Sequence, residues 1–128
     1  MPDPARILIV EDHPTMRDAM RLVLEEAGSR VADAADGPDA LVSVRDDPPD
    51  LVFLDMNVPG MGGAEILGII RSDPSTAGTR VIIVTAEGEE GRERALALGA
   101  DAYFTKPFSP AALLATAARV LARSGGEG

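Results

Sequence analysis

Leu51-Val-Phe-Leu54-Asp55-Met-Asn57-Val-Pro59-Gly60 is the stretch that decides the fold. Leu51–Leu54 is a short, unbroken apolar run, the pattern of a strand covered on both faces in a parallel sheet. An acid ends the run, and Pro-Gly then turns the chain. The same sentence structure recurs. Ile7–Val10 precedes Glu11-Asp12, Val81–Val84 precedes Thr85, and Ala102–Thr105 precedes Lys106-Pro107. Val31–Ala34 is a fifth and weaker run, which suits an edge strand.

Longer amphipathic stretches separate these runs. Met16, Met20, Val23, Leu24 and Ala27 fall at helical spacing before Gly28, a stop signal. Gly37-Pro38 opens a second helix. Ala64–Arg71 reads as a third, ended by Asp73-Pro74, and Glu89–Leu98 as a fourth, closed by Gly99. Ser109-Pro110 is a cap followed by a first-turn proline, and it opens a fifth helix carrying Leu113, Leu114, Ala117, Val120 and Leu121. Strands alternating with helices pair in parallel through crossovers. The expected fold is therefore α/β, a doubly wound five-stranded parallel sheet with helices on both faces. Residues 1–123 read as one domain, and Ser124–Gly128 as a flexible tail.

Composition narrows the function. The chain has 128 residues, no cysteine and a net charge of −9. Disulfides, thiolate catalysis and cysteine zinc sites are excluded. The acidity argues against direct nucleic-acid or anionic-membrane binding, which needs a cationic face. No leader-like segment and no spanning apolar run is present, so a cytoplasmic location is expected. Of the 12 basic residues only Lys106 is a lysine; the rest are arginines.

Ligand sites in such sheets lie beyond the carboxyl ends of the strands. Glu11, Asp12, Asp55, Thr85 and Lys106 all arrive at that edge. Two carboxylates about 4 Å apart repel by roughly 4 kcal/mol at an effective dielectric of 20, so one protonates or a cation binds. Oxygen ligands without His or Cys suit Mg²⁺. A carboxylate nucleophile, a divalent cation, an ammonium and a hydroxyl describe phosphoryl transfer onto an aspartate.

At these residues the chain resembles the receiver domain of bacterial two-component response regulators. The carriers are Ile-Leu-Ile-Val-Glu11-Asp12, Leu-Asp55-Met-Asn-Val-Pro59-Gly, Val-Thr85-Ala and Gly-Ala-Asp-Ala-Tyr103-Phe-Thr-Lys106-Pro107-Phe, and the resemblance runs from Ile7 to Leu121. It implies the flavodoxin-like (βα)5 topology. It implies Asp55 as phosphoacceptor and Mg²⁺ held by Asp12, by Glu11 through water, by Asp55 and by the Asn57 carbonyl. Thr85 and Lys106 would contact the phosphoryl oxygens, and the Lys106-Pro107 bond would be cis. Thr85 and Tyr103 would throw the switch on the helix 4–strand 5–helix 5 face. Asn57 and Glu87 would tune loss of the phosphoryl group, giving a phosphoform that lasts minutes or less.

A histidine kinase or phosphotransfer protein is the implied phosphodonor, and a protein target lies downstream. Two departures stand out. Gly62 occupies a position often filled by Asp or Asn, which predicts a loosely capped third helix. Ala102, Ala112 and Thr116 stand where dimerising receivers carry charges, which predicts a monomer or weak dimer. A single-domain regulator of the chemotaxis kind is the expectation.

Two rivals compete. A phosphatase working through an aspartyl-phosphate wants a second acid two residues after its nucleophile, and Asn57 is there instead. A phosphorylation-independent binding module has no use for Asp55, Thr85 and Lys106 together. His13 reads as an exposed or capping residue at a helix start. Met16, Met20, Met56 and Met61 read as packing, and Arg92 and Arg94 as an exposed face.

Overall fold

Each apolar run becomes a strand and each amphipathic stretch a helix. The computed structural model describes residues 4–86, 89–106 and 108–126; Glu87 and Pro107, both singled out above, lie outside the described residues. The order is β1 (Arg6–Val10), α1 (Pro14–Glu26), β2 (Arg30–Ala34), α2 (Gly37–Asp46), β3 (Leu51–Asp55), α3 (Gly63–Ser72), β4 (Arg80–Thr85), α4 (Glu89–Ala97), β5 (Ala102–Thr105) and α5 (Pro110–Gly126). The strands form one parallel sheet in the order β2-β1-β3-β4-β5. This is the flavodoxin-like arrangement, and β2 is an edge as its weaker run predicts.

Alternation along the strands divides the core in two. Ile7, Ile9, Leu51, Phe53, Ile82 and Val84 meet α1 and α5 through Met20, Leu24, Leu113, Ala117 and Val120. Leu8, Val10, Val52, Leu54, Val81 and Ile83 meet α2 and α3 through Leu41, Val44, Ile66, Leu67 and Ile70, with Ala95 of α4. All five residues of β3 are buried, which is why its run has no polar interruption before Asp55.

Several boundaries differ from the sequence expectation, four of them at the site or by more than a frayed first residue. Asp55 and Thr85 are the last residues of their strands, because each pairs with a neighbour: Asp55 with Val84, and Thr85 with Thr105. Helix α3 starts at Gly63. Helix α5 runs to Gly126, so Ser124–Gly126 is helical where a tail was expected. A nucleated helix adds one hydrogen bond per residue, and that outlasts the poor propensity of glycine here.

The helix ends explain themselves locally. Gly28 and Gly99 adopt positive φ, 101° and 102°. Behind each, two backbone bonds close the helix: Ser29 N–H to Leu24 O at 3.1 Å with Gly28 N–H to Glu25 O at 3.0 Å, and Ala100 N–H to Ala95 O with Gly99 N–H to Leu96 O, both 3.1 Å. Ser109 Oγ accepts from Ala112 N–H at 3.1 Å and caps α5. His13 is exposed at the N-cap of α1, without a side-chain cap bond. At the open sheet edge, Arg21 donates to Val31 O at 3.0 and 3.2 Å, covering an outward β2 carbonyl.

Candidate functional site

The sheet order sets the site. The chain leaves β1 for β2 on one side and returns to β3 on the other, which opens a crevice between the ends of β1 and β3. Glu11 and Asp12 follow β1 there, and Asp55 ends β3. Thr85 ends β4, and Lys106 follows β5.

Backbone bonds continue the ladder past the strands and hold these residues in place. Glu11 N–H donates to Ala34 O at 3.1 Å, Met56 N–H to Val84 O at 3.2 Å and Lys106 N–H to Thr85 O at 2.9 Å. Arg17 Nη1 donates to Glu11 O at 3.0 Å, tying α1 to the acidic loop.

The side chains converge. Oxygens of Glu11, Asp12 and Asp55 all lie within 4.8 Å of one another. Glu11 and Asp55 are 1% and 5% exposed, whereas Asp12 faces solvent. Lys106 Nζ lies 2.8 Å from Asp55 Oδ2 and 3.2 Å from Glu11 Oε1, bridging the two buried acids. The other Asp55 oxygen, Oδ1, accepts from Asn57 N–H at 2.9 Å. Glu11 Oε2 accepts from His13 N–H at 3.2 Å.

Burial, and then the charge of Asp55, hold the Glu11 carboxyl above its usual range; the His13 amide and Lys106 pull it down without cancelling this. Burial opposes the charge on Lys106, but its bonds to Asp55 and Glu11 outweigh that and hold it above an ordinary lysine. Three ionised carboxylates facing one ammonium leave two negative charges. Like charges 4.8 Å apart cost about 3 kcal/mol per pair at an effective dielectric of 20. This oxygen-only set, with one solvent-facing member, fits Mg²⁺, which keeps several waters.

Thr85 is 2% exposed. On β4 it shares the α2–α3–α4 face with Val81 and Ile83, and Tyr103 pairs with Ile83 and packs on that same cluster. Thr85 and Tyr103 are thus diagonal neighbours on one face of adjacent strands. Asn57 is exposed beside Asp55. Ala102 and Thr116 are buried and Ala112 partly so, and none carries charge.

Sequence reasoning missed the residues that let the β3–α3 loop close over the site. A Cβ on Gly63 would lie 2.7 Å from Met56 Cα and 3.0 Å from Asp55 O. One on Gly37 would lie 2.5 Å from Met61 Cβ. Gly63 N–H donates to Met56 O at 3.0 Å, so backbone replaces the side-chain cap that Gly62 lacks. The doubled Gly62-Gly63 was the available signal, since a glycine inside a first helical turn marks a close approach.

The family model of the response regulator receiver domain matches residues 7–118. The chain is 39% identical over 119 residues to the phosphate regulon transcriptional regulatory protein PhoB of Klebsiella pneumoniae, covering 92% of this chain and 52% of that protein. It is likewise 39% identical to the DNA-binding response regulator MtrA of Mycolicibacterium smegmatis, covering 92% and 50%. The chain thus spans about half the length of these relatives. The CheY-like response regulator receiver domain protein of Methanospirillum hungatei superposes with a TM-score of 0.91 at 31% identity, covering 98% of this chain and all of that one. The chemotaxis response regulator CheY4 of Vibrio cholerae gives 0.87 at 33% identity, covering 91% and 98%. Among the described residues no helix is long and apolar enough to cross a membrane.

Proposed function

From the premise that this chain belongs to the response regulator receiver domain family, we propose that Asp55 accepts a phosphoryl group and that the added charge switches the α4–β5–α5 face. The carrying observation is Lys106 bridging Asp55 and Glu11 at the mouth of a three-carboxylate cluster. A carboxylate oxygen of Asp55 attacks the phosphorus of a phosphohistidine on a histidine kinase or phosphotransfer protein. A P–O bond forms, the P–N bond breaks, and the imidazole leaves and takes a proton from solvent. Asp12, Asp55, the Asn57 carbonyl and, through a water, Glu11 would hold Mg²⁺, which would supply neutralising charge for the phosphoryl oxygens.

The chain's own groups then divide the work. Asn57 N–H fixes the orientation of the Asp55 carboxylate. Lys106 moves from the Asp55 carboxylate to a phosphoryl oxygen and remains an ammonium throughout. Thr85 donates to a second oxygen, and its shift opens space into which the Tyr103 ring turns. The exposed Asn57 and the Glu87 position orient an attacking water, so the phosphoform decays on its own within minutes.

The absence of charge at Ala102, Ala112 and Thr116 favours a monomer or weak dimer. The expectation of no direct nucleic-acid contact concerns this acidic segment alone. Relatives named as a transcriptional regulatory protein and as a DNA-binding response regulator are about twice as long, so a neighbouring output domain is compatible with the site.

The test is intact mass after incubation with Mg²⁺ and acetyl phosphate. Mass rises by one phosphoryl group, and Asp55→Asn abolishes the rise. Modification that survives Asp55→Asn sinks the proposal.

A further inference from the structure

Arg71, in the last turn of α3, makes five hydrogen bonds at the end of the sheet opposite Asp55. Its Nε and Nη2 donate to Gly99 O at 3.0 and 2.9 Å, a fork closed on one carbonyl. Nη1 donates to Ala77 O and Thr79 O, and Nη2 also to Asp101 Oδ2 at 3.0 Å. These five bonds match the five donors a guanidinium has. A lysine cannot reproduce the planar fork.

The partners come from two turns. Ala77 and Thr79 lead into β4, and Gly99 and Asp101 join α4 to β5. Asp101 is itself stitched to β4: Val81 N–H donates to Asp101 Oδ2 and Asp101 N–H to Val81 O, both at 2.8 Å. Gly99 is the positive-φ residue that closes α4, and a Cβ placed there would sit 3.5 Å from Arg71 Nε. Arg71 therefore grips the turn that closes α4 and the residues that lead into β4 and β5 as one block.

Packing reinforces this asymmetry. Ala95, Leu98 and Ala100, from the second half of α4 and just beyond it, lie in the core or against it. In the first half of the helix Gly91 is buried but brings no side chain, and Arg92, Glu93 and Arg94 are exposed. The Glu89 end of the helix lies toward the carboxyl end of β4, where Thr85 is.

We infer that Arg71 is the fulcrum of the switch: it pins the Gly99–Asp101 end of α4 and β5 to α3, so that phosphorylation moves the Glu89 end of α4 and Tyr103 about a fixed point. This rests on the phosphorylation reading above. Arg71 is a positioning residue that touches none of the reacting atoms. The nine residues of α4 span about 13 Å, so a rotation of about 10° about Gly99 displaces the near end by roughly 2 Å. A helix free at both ends gives the phosphate charge no such lever.

Amide hydrogen exchange on the full chain, with and without Mg²⁺ and beryllofluoride, tests the inference. In the unsubstituted protein the change on adding beryllofluoride is confined to the first half of α4 and the Tyr103 region, while Gly99, Ala100 and Asp101 keep their protection. In Arg71→Ala and Arg71→Lys the beryllofluoride-induced change spreads to those three amides, which exchange about tenfold faster or more, on the scale of losing one hydrogen bond to a charged donor. Acetyl phosphate still adds one phosphoryl group to both variants.

A purely structural role for Arg71 speeds exchange equally in both states and leaves the difference map unaltered; that result overturns the inference. So does an unsubstituted protein whose difference map covers both ends of α4, a measurement that needs no variant to fold. Failure of the unsubstituted protein to take up phosphoryl or to respond to beryllofluoride indicts the phosphorylation reading instead.

Discussion

Helices α3 and α4 are sequence neighbours that cover the same face of the sheet, yet they are held by different means. Helix α3 buries Ile66, Leu67 and Ile70 at 1% exposure or less. Those three side chains pack into one apolar cluster with Val52 and Leu54 of β3 and Val81 and Ile83 of β4. Helix α4 has Glu-Glu-Gly-Arg-Glu-Arg-Ala-Leu-Ala, with Gly91 inside it and Leu96 45% exposed. It is seated by Ala95, by a glycine-closed C-terminus and by the Arg71 fork that α3 extends to it. One helix is part of the scaffold. The other has fewer buried apolar side chains, and it lies on the face that the proposed switch would change.

The sharpest way to break this comparison is to truncate each helix. Ile66→Ala leaves a cavity in the α3 seat and should cost about 2–5 kcal/mol in urea unfolding. Leu96→Ala should stay within about 0.5 kcal/mol, as a surface change does. Comparable losses at the two sites would show that α4 is anchored as firmly as α3.

Two glycines of α3 sharpen it further, with opposite signs. A methyl at Gly63 collides with Met56 Cα and Asp55 O, so Gly63→Ala should destabilise by about 1–3 kcal/mol and slow phosphoryl uptake by Asp55. Nothing lies within 4 Å of a methyl at Gly68, and Gly68→Ala should stabilise by about 0.5–1 kcal/mol with uptake unchanged. The contrast separates the rigidity of the helix from the geometry of the loop it supports.

The smallest expected effect is electrostatic. Burial, then Asp55, raises the Glu11 pKa in the folded chain. A carboxylate raised by folding contributes most below its unfolded pKa and loses that contribution as pH rises through the folded value. Without metal, thermal stability should therefore drift downward as pH climbs through the elevated Glu11 range. Mg²⁺ needs the ionised form, so its stabilising increment should grow over the same interval, as read by melting curves with and without Mg²⁺. An increment that is flat in pH would remove Glu11 from the cation site.

The sheet and most of the site positions were legible in sequence for one physical reason. A strand buried on both faces must be apolar throughout, so its first polar residue marks the sheet edge. Glu11, Asp55 and Thr85 announced themselves this way, whereas Lys106 follows the polar Thr105 of an edge strand. The strand ends were misjudged by one at Asp55 and Thr85, because pairing with the neighbouring strand, which periodicity does not report, carries them into the ladder. Arg71 stayed invisible for a related reason. A cation in the last turn of a helix is ordinary, and its carbonyl acceptors lie up to 28 residues away in the chain. Gly63 was hidden because its importance is steric, set by Met56 rather than by its own neighbours.

The solitary lysine has a practical consequence. Eleven arginines carry the rest of the basic charge, so the one side chain open to amine-directed coupling is the one that bridges Asp55 and Glu11. Immobilising this protein through its lysine attaches the tether to the group proposed to sense the phosphate, whereas an amine-reactive dye divides between that group and the terminal amine. Affinities measured on such a surface describe a blocked site. Conversely, the rate at which Lys106 acquires a label becomes a clock for how long its two carboxylate partners hold it.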